Sequence, residues 1–225
     1  MSKLSEFFYG NKHKIMHKWD HYFDIYEKYL GPLREKKRIG LVEIGVFHGG
    51  SMQMWRDYFG DNALIFGVDI NRECRKIKFD SYIDIVTANT GKEKDLTNLY
   101  KILSNAPGGI HVIIDDGSHR PRDQQKAFEA LWPILIEGGI YIIEDIHTSY
   151  YYKGYGLGNI ARWVTRKVIG DMHAKYKGKS HYYTMAKAVH YYPGMIVLEK
   201  DYPVELKDVI SGTVDQDDPI TNKLV

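Results

Sequence analysis

The chain has 225 residues, 44% of them hydrophobic and 27% charged, and a formal net charge of +2. That length sustains one domain, 1–225, with its own core; the near-neutral charge gives no footing for nucleic acid or an anionic membrane as partner; and the lone Cys74 cannot form an internal disulfide. No run approaches the roughly 18 apolar residues of a membrane span, and MSKLSEFFYGNKHK lacks the apolar core of a signal peptide, so a cytoplasmic location is expected.

The first periodic segment is MHKWDHYFDIYEKYL, residues 16–30, with Trp19, Phe23, Tyr26 and Leu30 at helical spacing and Gly31-Pro32 as a stop. It anchors an N-terminal helical segment, 1–35, and places Trp19 in the core; His17 and Lys18 could reach toward a bound ligand. Five short apolar runs follow: IGLVEIG (39–45), ALIFGVDI (63–70), YIDIVTAN (82–89), HVIIDDG (111–117) and IYIIEDI (140–146). Their Ile and Val content and Gly or Asp boundaries predict strands buried on both faces. SMQMWRDYFG, KEKDLTNLYKILSN and RPRDQQKAFEALWPIL supply intervening helices, the last with Pro121 in its first turn. Alternating strand and helix predicts a doubly wound α/β fold with a mostly parallel sheet and helices on both faces. AVHYYPGMIVLEK predicts a closing antiparallel hairpin around Pro193-Gly194. Before it, residues 147–187 break the rhythm as a tyrosine-rich insertion with a helix from about Asn159 to Asp171, and the final SGTVDQDDPITNKLV should fray.

EIGVFHGGS (43–51) follows the first strand and opens a helix, where ligands of open α/β sheets bind. A dinucleotide is disfavoured because Phe47 holds the second glycine position of G-x-G-x-x-G. Glu43 can meet the amino-acid end of a ligand, and Asp69, closing the second strand, can bind two ribose hydroxyls. With Gly45, Phe47, Gly49 and Ser51 they suit a ligand with a ribose and an amino-acid tail but no phosphate, such as S-adenosyl-L-methionine. A tight turn with no ligand is the alternative.

Two strands end in adjacent acids, Asp115-Asp116 and Glu144-Asp145. Side by side in a parallel sheet, four carboxylates would repel and raise one another's pKa. A hard divalent cation removes the conflict: Mg²⁺, with Mn²⁺ or Ca²⁺ as alternatives. His119 lies three residues after Asp116 and could be a further ligand, a general base or a helix-entry residue. The competing reading is helix capping, with Ser118 as the cap.

EIGVFHGGSMQMW, GVDI, IIDDGSH, FEALWPILIEGG and YIIEDIHTSY together resemble the macrocin and mycinamicin O-methyltransferases, metal-dependent sugar-methylating enzymes of the class I S-adenosylmethionine fold, over roughly residues 8–160. The resemblance implies a Rossmann-like class I methyltransferase sheet, Asp116, Glu144 and Asp145 as Mg²⁺ ligands, His119 as catalytic base, and Asp69 on the cofactor ribose. It puts Asn89 and Thr90 at the adenine, although the family's G-D-Q-S reads A-N-T-G here, and sets Asp115 on the cofactor side. The family's early D-K dipeptide is matched by Asn11-Lys12, a departure.

The activity implied is methyl transfer to a sugar hydroxyl of a glycan or glycosylated metabolite, with the metal chelating a vicinal diol. Tyr150, Tyr151, Tyr152 and Tyr155 could offer ring faces to the acceptor, and His147 could line the site; a lid or subunit contact is as good an account of the tyrosines, and a homo-oligomer stays open. The alternatives are a catechol-type O-methyltransferase acting on a small vicinal diol and a non-catalytic ligand-binding protein of the same fold.

Overall fold

The computed structural model describes residues 2–79, 81–151, 159–170, 186–201, 209 and 211. Seven strands form one sheet: β1 (Ile39–Ile44), β2 (Ala63–Asp69), β3 (Asp84–Thr87), β4 (Ile110–Asp115), β5 (Leu135–Ile143), β6 (Ala186–Tyr192) and β7 (Met195–Lys200). Their order is β3-β2-β1-β4-β5-β7-β6. The pairs from β3 across to β5 are parallel; β7 pairs antiparallel with β5 and with β6, around the turn at Pro193-Gly194. The doubly wound sheet with its closing hairpin is therefore as the sequence implied. The order reverses between β1 and β4, so the crevice beyond their carboxyl ends is where such a sheet takes a ligand.

Register carries the candidate residues to that crevice. Ile44 pairs with Asp115, and Asp115 with Ile143. Beyond the ladder, Asp116 N–H donates to Ile44 O and Glu144 N–H to Asp115 O, both at 2.9 Å. The two acid pairs thus leave the sheet on adjacent strands. β1 and β4 are buried along their whole length, which is why they read as unbroken apolar runs rather than alternating ones.

Helices α1 (Lys3–Gly10), α2 (Tyr22–Leu30) and α3 (Gly50–Phe59) cover one face, where Phe23, Tyr26, Leu30 and Trp55 pack on Leu41, Val112 and Ile142. The other face is covered by α4 (Glu93–Leu103), α5 (Pro121–Leu131) and, beyond a short turn α6 (Thr148–Tyr151), by α7 (Ile160–Val164), which runs on as a π-helical stretch to Ile169. There Leu99, Phe128 and Val164 pack on Val42, Ile113 and Tyr141. Asn159 caps α7 by accepting from Arg162 N–H.

One expectation fails here. Residues 16–21 are not helical; α2 begins only at Tyr22, and Trp19 is 48% exposed rather than in the core. The physical reason is Lys18, whose ammonium must reach three carboxylates, two of them buried, and an extended segment delivers it where a continuing helix would not. α1 falls inside the 1–35 segment expected to be helical, although no separate helix was singled out there. The basic turn of the 147–187 insertion and nearly all of the C-terminal tail lie outside the described residues. No described helix is long and apolar enough to cross a membrane.

Candidate active site

Two adjoining cavities lie at the carboxyl ends of β1, β2 and β4. The larger, about 370 Å³, is lined by residues 15–18, Gly45, Val46, Phe47, Ser51, Asp69, Asp116, Gly117, His119 and Asp145. The smaller, about 150 Å³, is lined by Asp69, Ile70, Ala88, Asn89, Thr90, Gly117 and Ser118 among others. Gly45, Asp69 and Gly117 border both, so the two form one trough.

Gly45 is required at its position. Its φ is +98°, and a Cβ there would meet Asp116 O at 2.2 Å. Asp69 organises the loop that follows: its Oδ2 accepts from Val46 N–H at 2.9 Å and Phe47 N–H at 3.3 Å, its Oδ1 from Asn71 N–H at 2.8 Å. Asn89 and Thr90 sit at the far end, under the smaller cavity. Asn89 Oδ1 accepts from Gly91 N–H and holds that turn. Gly49 adopts φ +84° at the start of α3.

Two sequence candidates lie beneath the trough rather than in its wall. Glu43 is fully buried, its oxygens bonded to Lys18 Nζ at 3.0 Å and Trp55 Nε1 at 2.9 Å. Burial raises its pKa, against the pull of Lys18 and the Ser51 hydroxyl. Asp115 is buried too; burial pushes its pKa up to about 7, Gly117 N–H bonds one oxygen, and the other has no partner. Glu43 was expected to meet the amino-acid end of the ligand and Asp115 to face the cofactor; neither lines the two cavities, Glu43 being held by Lys18 and Trp55 and Asp115 by Gly117 N–H.

At the other end, Asp116, His119 and Asp145 each direct one ligand atom into a common space, those atoms lying within 4.8 Å of one another. His119 Nδ1 stands 3.9 Å from Asp116 Oδ1, and its Nε2 3.8 Å from Asp145 Oδ2. Nδ1 is buried without a hydrogen-bond partner. Phe47, His119 and Asp145 are the non-glycine residues with positive φ among those described, at +52°, +54° and +53°, and all three line the larger cavity. Strained backbone of this kind persists where surrounding structure imposes it, and it clusters at functional sites. A Thr148 hydroxyl ties the two strand-end loops, bonding His119 O at 2.7 Å and Asp145 O at 3.0 Å.

Glu144 turns inward, almost fully buried. Its Oε1 accepts from the Tyr26 hydroxyl at 2.5 Å and its Oε2 from Lys18 at 3.0 Å. Burial raises its pKa well above the ordinary carboxylate range, although Lys18 and the Tyr26 hydroxyl oppose this. Lys18, Tyr22 and Tyr26 are the residues sequence reasoning missed in these roles. Tyr22 bonds Asp145 Oδ1 at 2.9 Å, and Trp19 Nε1 reaches the same oxygen at 3.1 Å. The lysine at the acids is Lys18. The helical spacing that included Tyr26 signalled only a buried face, and Tyr22 stood outside it.

His147 Nδ1 stands 3.9 Å from Asp145 Oδ1, its ring edge-on to Trp19. Tyr150 is exposed. Tyr152, Tyr155 and the side chain of Tyr151 lie outside the described residues. Ser118 does not cap α5, whose N-cap is Arg120; its hydroxyl bonds Asp123 instead.

Residues 42–146 match a family model described as a methyltransferase domain. Over 80% of its length the chain is 31% identical to a tetracenomycin-C rhamnosyl 2'-O-methyltransferase of Streptomyces olivaceus, of which it spans 50%. Over 69% it is 30% identical to the mycinamicin VI 2''-O-methyltransferase of Micromonospora griseorubida, of which it spans 38%. Among solved structures, the MycE methyltransferase of the mycinamycin pathway, in complex with Mg, SAH and mycinamycin VI, superposes with a TM-score of 0.75 at 22% identity, covering 99% of this chain and 58% of that one. The chain therefore carries a methyltransferase domain and is a homologue of the macrocin- and mycinamicin-type sugar O-methyltransferases.

Proposed function

We propose that the protein is an S-adenosylmethionine- and Mg²⁺-dependent O-methyltransferase that methylates a sugar hydroxyl on a glycosylated molecule. The observation that carries this is the convergence of Asp116, His119 and Asp145 at one end of a trough whose middle is bordered by Gly45 and Asp69. The relatives named above act on sugars of tetracenomycin and mycinamicin, which supports the acceptor class.

The donor set suits a hard cation: carboxylate oxygens, with an orphaned imidazole nitrogen beside them. Asp116 and Asp145 would hold the ion through the oxygens they leave toward His119, whereas Glu144, expected as a third ligand, is turned under the trough with its oxygens on Tyr26 and Lys18. When bound, the ion supplies positive charge that lowers the pKa of an acceptor hydroxyl and favours chelation of two neighbouring hydroxyls. His119 takes the hydroxyl proton at a ring nitrogen while the acceptor oxygen bonds the methyl carbon and the carbon–sulfur bond of the donor breaks. General-base help of this kind contributes about 10²–10⁴ in rate. Asp69 sits where it can orient the donor's ribose, and the Asn89-Thr90 turn borders the adenine end. The backbone around Gly45 shapes the wall between them. His147, beside Asp145, and the exposed Tyr150 are the described residues left to meet the acceptor.

Titration calorimetry tests this, first with S-adenosylmethionine, then with Mg²⁺ and the demethylated cofactor against a panel of deoxysugar glycosides that includes a catechol. Expected are cofactor binding and glycoside binding that requires Mg²⁺ and vanishes in Asp116→Ala. Absence of cofactor binding overturns the methyltransferase reading; binding of the catechol alone moves the acceptor to the catechol class.

A further inference from the structure

The N-terminal segment does more than cover the sheet. Lys18 comes from an extended stretch before α2, and its side chain is only 2% exposed. Its ammonium lies 3.0 Å from Glu43 Oε1, 2.7 Å from Asp116 Oδ2 and 3.0 Å from Glu144 Oε2. Those carboxylates come from the ends of β1, β4 and β5. An ammonium offers three donors, and here each has one acceptor on a different strand end. The consequence falls on Asp116: with Oδ2 held by Lys18, its Oδ1 is the oxygen on the His119 side. Asp145 shows the same division, its Oδ1 held by Tyr22 and Trp19 and its Oδ2 facing His119. Each acid of the site is thus split into an oxygen fixed by the N-terminal segment and an oxygen turned to the cavity.

We propose that Lys18 is a positioning residue: a resident cation that neutralises the acids behind the site and fixes Asp116 so that one oxygen faces an exchangeable divalent ion. This rests on the metal reading given above. Lys18 is too buried to touch an acceptor, and a buried cation shared by carboxylates of three strands does not arise from packing alone. Charges taken from water at that depth persist only when paired and hydrogen-bonded.

The test is Mg²⁺ affinity by calorimetry in the presence of the demethylated cofactor, with melting temperature in metal-free buffer measured alongside. Lys18→Met keeps the stem and removes the charge. Expected are a tenfold or greater loss of Mg²⁺ affinity and a lower melting temperature. Lys18→Met/Glu43→Gln removes one uncompensated acid as well; it should regain much of the melting temperature and still bind Mg²⁺ at least tenfold more weakly. If Lys18→Met does not fold, the affinity is read on the double variant. A Mg²⁺ affinity within twofold of wild type in either variant overturns the positioning role, as does full recovery of affinity with stability in the double variant. Failure of the wild-type protein to bind Mg²⁺ at all overturns the metal reading, and this proposal with it.

Discussion

The Tyr22 hydroxyl and Asp145, 123 residues apart in the chain, are bonded twice: the hydroxyl lies 2.9 Å from Asp145 Oδ1 and accepts from Asp145 N–H at 3.3 Å. The same hydroxyl lies 2.9 Å from Gly194 O in the β6–β7 turn. One side chain therefore joins the N-terminal segment, the end of β5 and the closing hairpin, and supports the left-handed backbone of Asp145.

Tyr22→Phe removes those contacts without changing ring packing. A buried N–H and a carbonyl lose their partner, at a cost of about 1–3 kcal/mol. In a chain of this size that corresponds to a fall in melting temperature of roughly 2–12 °C. Thermal denaturation followed by circular dichroism checks it; an unchanged melting temperature would show that water replaces the hydroxyl.

Two glycines should respond in opposite directions. Gly45→Ala puts a Cβ 2.2 Å from Asp116 O at a φ of +98°, so we expect a loss of more than about 2 kcal/mol together with loss of cofactor binding. Gly170 has helical backbone, and an added Cβ meets nothing within 4 Å. Gly170→Ala should stabilise by about 0.5–1 kcal/mol. Urea denaturation of the two variants decides both.

Asp69→Asn keeps the side chain's size but replaces one acceptor oxygen with an amide donor facing the N–H groups of Val46 and Phe47 or that of Asn71. S-adenosylmethionine affinity should fall at least tenfold with little change in fold. Calorimetry with a matched far-ultraviolet spectrum tests this, and undiminished affinity would remove Asp69 from the ribose role.

His111 gives the pH prediction. It lies buried in β4, its Nδ1 accepting from Gly40 N–H at 3.1 Å, and burial lowers its pKa below the ordinary imidazole value. The unfolded chain then binds more protons than the folded one as pH falls below about 6.5, so stability drops on acidification through that range. His111→Gln should flatten the fall in melting temperature between pH 7 and pH 5. An equally steep fall in the variant would place the responsible group elsewhere.

Saturating Mg²⁺ should raise the stability of the wild-type protein, by about 2.7 kcal/mol at one hundred times the dissociation constant. Asp116→Asn and Asp145→Asn should each abolish most of that gain, and chelation with EDTA should reverse it. Scanning calorimetry with and without the ion reads this directly; a gain preserved in both variants would put the ion elsewhere.

The sequence by itself determined the sheet and the candidate chemistry. β1 and β4 are apolar along their length because both faces are covered, and a run such as IGLVEI or HVIID has no amphipathic alternative to offer. Glycine after β1, and acid pairs after β4 and β5, mark the ends where a parallel sheet takes its ligand, so Asp69, His119 and the four acids Asp115, Asp116, Glu144 and Asp145 could be singled out from local pattern, while only the family resemblance chose among them. What the acids bond to was decided by tertiary structure. Helical spacing through residues 16–30 predicted a helix with Trp19 in the core, because periodicity registers apolar faces and is blind to an ammonium 98 residues from its partner Asp116. The extended segment exists because Lys18 must be satisfied by carboxylates from three strands. Nor could local pattern show that Glu43, Asp115 and Glu144 lie under the trough while Asp116 and Asp145 border it: strand register and the pull of Lys18, Tyr22 and Tyr26 set which oxygens turn inward and which face the cavity.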